Sequence, residues 1–169
     1  MNNGTSLMHD ITLERPLGPG TWRIRIEKLI PTGNVLKRMH FRVYAKLMEI
    51  LFWQVRAADG FVDIAQPKGR RWLVVLRYTP RTPDKENTYF AAKPLIDILR
   101  PMKITSGIYG PKTKRPGQPW RKEQIGHGLI LEDDPDHLTY WVKTKKLQKG
   151  DTPHTEFILS DAPLNPDDF

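Results

Sequence analysis

Four carboxylates fall within five positions at Glu132-Asp133-Asp134-Pro135-Asp136, in a 169-residue chain whose formal charge is +8. Acids crowded at one point repel one another unless a cation sits among them. Hard oxygen ligands at that density suit a divalent metal ion. A divalent ion inside a positive surface is the electrostatic arrangement for hydrolysing phosphodiesters. A second acidic group lies upstream at Asp84-Lys85-Glu86-Asn87. Glu86, Phe90, Lys93 and Asp97 then follow at helical spacing, so one helix through them carries acid, lysine and acid on a single face behind Asp84. A lysine beside carboxylates can orient a water or neutralise charge building on a phosphoryl oxygen. Surface salt bridges, or a solvated acidic turn, explain either cluster taken alone. Two such clusters, each tied to an apolar run, point to a site.

The elements that must position these acids are legible by period. Trp22 to Ile30 alternates, with Trp22, Ile24 and Ile26 on one side and Arg23, Arg25 and Glu27 on the other, which predicts a half-buried strand. Pro31-Thr32-Gly33-Asn34 ends it as a turn, where Asn34 serves either the turn or a phosphate near the site. Lys37 to Arg56 has apolar residues at three- and four-residue steps and predicts one long helix. Lys37, Arg38, Arg42 and Lys46 cluster near its start, where cations oppose the helix dipole. A phosphate backbone or plain solvation accounts for them. Trp72 to Tyr78 is nearly continuous apolar and predicts a strand buried on both faces, which delivers Asp84 beyond its end. Glu86 to Leu99 is helical, with Pro94 as a kink or restart. Gly128-Leu129-Ile130-Leu131 packs into the core and holds the second acid cluster. His137 to Leu147 and Thr155 to Ser160 read as two strands of a hairpin turning at Lys149-Gly150-Asp151. His137, just after the acids, either supports them or is an ordinary strand residue.

Between the two acidic groups, Arg100 to His127 holds seven Lys/Arg against one acid, with four prolines and four glycines. That composition argues against a helix and predicts a long loop or loose β-hairpin. Lys112, Lys114, Arg115, Arg121 and Lys122, interleaved with aromatics, suit a DNA backbone and exposed bases. Lys143, Lys145 and Lys146 form a second basic patch, expected beside the acidic site.

The bulk numbers agree with an anionic partner. The sequence pI is about 9.8, and nucleic acid is the first candidate for so basic a chain. There is no cysteine, which excludes disulfides and thiolate metal sites. No apolar run approaches a membrane span and no secretory pattern opens the chain, so the expected setting is cytoplasmic. Walker loops, dinucleotide fingerprints and nucleophile elbows are all missing.

These blocks, in this order, resemble the RusA family of Holliday-junction resolvases, many of them encoded by phages and prophages. Asp84-Lys85-Glu86-Asn87 is similar to the family's Asp-x-Asp-Asn, with Glu86 where a second Asp is usual. Lys93 and Asp97-Ile98-Leu99 resemble its helix block. Gly128 to Asp134 resembles its Gly-(Leu/Val)-Ile-x-Asp-Asp block with one extra residue, and Pro31 to Asn34 its Pro-x-Ser-Asn turn. The spacing from Asn87 to Lys93 is about one helical turn longer than is commonest in the family, and the insertion before Gly128 replaces a short connection.

The resemblance implies a metal-dependent endonuclease that acts as a homodimer on branched DNA, resolving four-way junctions by paired symmetric nicks. It places Asp84, Glu86 and Asp134 as metal ligands with Asp133 beside them, Lys93 as a catalytic lysine, and Asp97, Asn87 and Asn34 in support. The expected fold is α+β. One mixed sheet with two main helices runs in the order strand, helix, strand, helix, strand, strand, over residues 21–161, between tails at 1–20 and 162–169. Because Glu86 is one methylene longer than Asp, a catalytically impaired DNA-binding or regulatory relative is the alternative.

Overall fold

The structure, a computed structural model, describes residues 17–81, 85–101, 103–106 and 122–169; for 85, 86, 103–106 and 122–125 it describes backbone alone. Alternation builds the first strand, β1 (Thr21–Ile26), in which Ile24 and Ile26 are buried. The next strand, β2 (Arg71–Thr79), is buried on both faces as its continuous apolar run requires: Leu73 and Val75 enter the main core, Val74 and Leu76 a smaller cluster on the other face. Together with β5 (Leu138–Lys146) and β6 (His154–Ser160) they form a four-stranded mixed sheet in the order β1-β6-β2-β5. The fold is therefore α+β. Only the β2–β5 pair is parallel.

The hairpin expected from His137 to Ser160 does not form. All seven residues of β6 are buried, and it sits between β1 and β2 rather than against β5. At the sheet's centre both faces are covered, and Phe157, Ile158 and Leu159 fill the core on either side while His154, Thr155, Glu156 and Ser160 are buried with them. The half-buried β5 takes the edge.

The long helix expected from Lys37 to Arg56 is two. Helix α1 (Gly33–Arg38) ends at Met39, and α2 (Phe41–Ala57) begins after His40, whose Nδ1 accepts from the Arg42 amide at 3.3 Å. The break puts Lys37 and Arg38 in the last turn of α1, where cations favour the helix dipole. Asn34, expected in a turn, lies exposed in α1. Ala45, Leu47, Met48, Leu51, Phe52 and Val55 bury one stripe of α2 in the core.

The helix predicted from Glu86 to Leu99 is also interrupted. It consists of α3 (Lys85–Tyr89), a 3₁₀ turn (Phe90–Ala92) and α4 (Lys93–Leu99). Pro94 falls in the first turn of α4, where no amide donor is needed, so it restarts the helix. The single acid–lysine–acid face is broken at Phe90; Lys93 and Asp97 keep theirs within α4.

The described ends of the basic insertion pair antiparallel, as β3 (Lys103–Ser106) and β4 (Lys122–Ile125). At its foot, a Cβ on Gly126 would meet the Arg100 carbonyl oxygen at 1.9 Å, so only glycine allows the close approach. The C-terminal segment, expected as a tail, is packed down: Leu164 and Phe169 lie against Val74, Leu76 and Ile158 on the sheet face opposite the helices.

Candidate functional site

The acidic segment is positioned by backbone. The Leu99 carbonyl, at the end of α4, accepts from the amides of Leu129 at 2.7 Å and Ile130 at 3.2 Å. Leu129 and Ile130 are buried, as expected of an apolar tether. Arg71 completes the hold. Its fully buried guanidinium donates to the carbonyls of Leu129 and Ala65, each at 2.6 Å, and to Asp161 at 2.8 Å.

This tether brings Asp133 to α4. Lys93 Nζ lies 2.8 Å from Asp97 Oδ1 and 2.8 Å from Asp133 Oδ2. Arg100 joins from the end of the helix, with Nη1 3.0 Å from Asp133 Oδ1 and Nη2 2.6 Å from Glu132 Oε2. Burial works against the Lys93 ammonium, but its hydrogen bonds to Asp133 and Asp97 outweigh it and raise its pKa. The hydrogen bond from Lys93 holds the Asp133 carboxyl below the usual range. Lys93 is still half exposed, so its ammonium can reach a ligand.

Asp134 faces elsewhere. Its Oδ1 accepts from the amides of Asp136 at 2.9 Å and His137 at 3.1 Å, and the His137 ring Nδ1 is 2.9 Å from both oxygens. The hydrogen bond from His137 lowers its pKa. His137 thus supports an acid, and Asp134 turns the chain into β5. Asp84 lies outside the described residues, as does the side chain of Glu86, so the described site consists of Lys93, Asp97, Arg100, Glu132 and Asp133. Among the described residues no three acidic or histidine side chains form a metal-holding group. Asp97 and Asp133 offer the hard oxygens Mg²⁺ prefers, and both share them with Lys93 and Arg100.

Three tyrosines ring the cluster, and the sequence pattern gave no sign of them. Tyr89 stacks on Tyr140 with centroids 4.8 Å apart. Burial, then the hydrogen bond the Tyr140 hydroxyl gives to Tyr89, raises the Tyr140 pKa, and the Asp133 charge adds to it. Burial, then the Asp97 charge, does the same to Tyr44. The Tyr140 and Tyr44 hydroxyls are therefore neutral donors, not bases.

The predicted DNA contacts divide. Lys37, Arg38 and Arg42 are exposed around the α1–α2 junction, with Lys37 Nζ 4.9 Å from the Phe90 ring centre. Asn87 is half-buried on α3. Lys112, Lys114, Arg115 and Arg121 lie outside the described residues, as does the Lys122 side chain. Lys143 and Lys145 are not beside the acidic site. Alternation along β5 sends Tyr140 toward α3 and these two lysines to the opposite face, where Lys143 bonds Asp167 at 3.0 Å and the Pro166 carbonyl. Arg100, a cation of the insertion in the sequence, is committed to the acids.

Comparison with family models, with curated proteins and with solved structures finds no match to this chain. No helix among the described residues is long and apolar enough to cross a membrane.

Proposed function

We propose that this chain is a metal-dependent endonuclease that resolves branched DNA by paired nicks, acting as a homodimer. The observation that carries the reading is Lys93 held between Asp97 and Asp133, downstream of Asp84 and Glu86 in the sequence. Asp84, Glu86 and Asp133 would hold the ion, with Asp134 at the neighbouring position. Bound Mg²⁺ or Mn²⁺ would supply a polarised phosphoryl oxygen and a water of lowered pKa. The chain does the rest. Lys93, charged and half exposed, donates to the phosphoryl oxygen; Asp97 holds that ammonium in place; Tyr140 and Tyr44 stay protonated; Lys37, Arg38 and Arg42 bind the backbone. A two-fold dimer sets two such centres on opposing strands, and symmetry gives paired cuts.

A second reading has one observation in its favour. Lys93 and Arg100 already neutralise Asp97, Glu132 and Asp133 without a metal, as suits a DNA-binding or regulatory relative that has lost catalysis. A labelled four-way junction and a linear duplex, incubated with Mg²⁺, Mn²⁺ or EDTA, separate the two. Metal-dependent cutting of the junction alone supports the nuclease. Tight junction binding with no cutting in any metal supports the binder.

A further inference from the structure

Two aromatic side chains lie open to water beside the acidic cluster. Tyr89, at the end of α3, is 48% exposed, and Phe90, which opens the 3₁₀ turn into α4, is 51% exposed. Both rings are nevertheless held from one side. Tyr89 lays a face on Tyr140, with centroids 4.8 Å apart and planes 25° from parallel. Phe90 stands edge-on to Tyr89, at 6.3 Å and 82°. Gly33 lets α1 close onto Phe90, since a Cβ there would come within 2.7 Å of the Phe90 Cβ. Lys37, one turn further along α1, places its ammonium 4.9 Å from the Phe90 ring centre. Rings fixed in this way are flat surfaces already ordered, so a ligand that lies on them loses little affinity to ordering.

The strip is bordered by charge. Lys37 is exposed at one end, and Arg38 and Arg42 are exposed on the same α1–α2 junction. At the other end the Asp133 charge reaches Tyr140, and Asp133 itself bonds Lys93 and Arg100. An exposed apolar patch alone suits many partners; the cations choose among them. A second copy docked here across a two-fold axis would set Lys37, Arg38 and Arg42 against the same three residues. A nucleic acid brings phosphates to the cations and flat bases to the rings.

We propose that Tyr89 and Phe90 are a stacking platform for unpaired nucleobases of DNA, with Lys37 on the adjoining phosphate. This rests on the reading of the chain as a DNA-binding protein and holds whether or not the acids cut. A linear duplex hides its base faces in the stack. The platform therefore favours single strands, and points in branched DNA where stacking is interrupted.

Fluorescence anisotropy in EDTA tests this, with a labelled single-stranded oligonucleotide and one of equal length and charge whose sugars carry no bases. The wild type binds the base-bearing strand about tenfold more tightly, the size of one stacked base. Phe90→Leu keeps the carbons that pack on Gly33 and loses the flat ring. Phe90→Leu and Tyr89→Ala each remove most of the preference and leave the abasic strand bound as before, whereas Tyr89→Phe retains it. Phe90→Leu carries the test if Tyr89→Ala fails to fold. Equal affinity of the wild type for both strands, or a preference unchanged in Phe90→Leu, overturns the proposal. A changed sedimentation of Phe90→Leu with the preference intact also overturns it, and marks the patch as a contact between copies. Junction cutting with Mg²⁺ in the same preparations keeps the two readings apart. Base preference without cutting leaves the platform standing and removes the nuclease; cutting without base preference does the reverse. A wild type that binds neither strand sinks both.

Discussion

Lys93 is the residue through which the acidic segment and α4 meet. Lys93→Met leaves Asp97 and Asp133 facing each other with Arg100 alone between them. Under the proposed function the expected outcome is loss of junction cleavage by about 10²-fold or more, with far-UV circular dichroism unchanged because the Lys93 side chain is half exposed rather than in the core. Asp133 and Asp134 give a sharper comparison. Asp133→Asn removes an acid that bonds Lys93 and Arg100, so cleavage is lost. Asp134→Asn keeps a side chain able to form the same turn, and cleavage falls less. Equal loss in both would move the ligand role to Asp134, with His137 as its support. The pairing of Lys93 with Asp97 was legible in the sequence, because a four-residue step on a helix brings the two together. Arg100 was not, since nothing local separates a cation that binds acids from one that binds DNA. Tyr89 and Tyr140 were not either, since they meet only through the packing of α3 on β5.

At the scale of elements, the acidic segment depends on Arg71. Arg71→Met leaves the carbonyls of Leu129 and Ala65 without their donor, a loss of about 1–3 kcal/mol for each that denaturant unfolding would measure. Stability within about 1 kcal/mol of the wild type would show that water replaces the guanidinium. Strand β2 was readable because a continuous apolar run has one structural use. So was the tether from Leu129 to Ile130. The partners of β5 and β6 were not: β6 pairs with β1 from the far end of the chain, and a sequence gap of that length leaves no local trace. The split between α1 and α2 had a local sign, a histidine able to cap, hidden under an apolar period that runs through it.

For the whole molecule, charge and protonation set the conditions. With a formal charge of +8, the proposed DNA binding is expected to weaken steeply with salt. Replacing Lys37, Arg38 and Arg42 together lowers the salt slope by about 0.9 for each phosphate contact they make; an unchanged slope would remove α1 and α2 from the DNA surface. His127 governs stability in acid. It stacks on Phe52 with centroids 4.1 Å apart, and burial lowers its pKa to about 4. Its unfolded form binds a proton near pH 6.5 and the folded form only near 4. Stability is therefore full above about 6.5 and declines as pH falls toward 4. The loss is on the order of 2 kcal/mol once the ring's partial exposure is discounted. Urea unfolding at pH 7 and pH 4.5 measures it, and His127→Gln flattens the difference. The net charge was legible from composition. Where the charge acts was not, because Lys143 and Lys145 turn away from the acids only once β5 is seen against α3.

The most direct measurement is nick mapping on a synthetic four-way junction, each strand labelled in turn, with Mg²⁺ or EDTA, for the wild type and Asp133→Asn. Cuts are expected at symmetric positions on opposing strands, present only with the wild type and Mg²⁺. Cuts that persist in EDTA or in Asp133→Asn, or a junction bound and left whole in every metal, would contradict it.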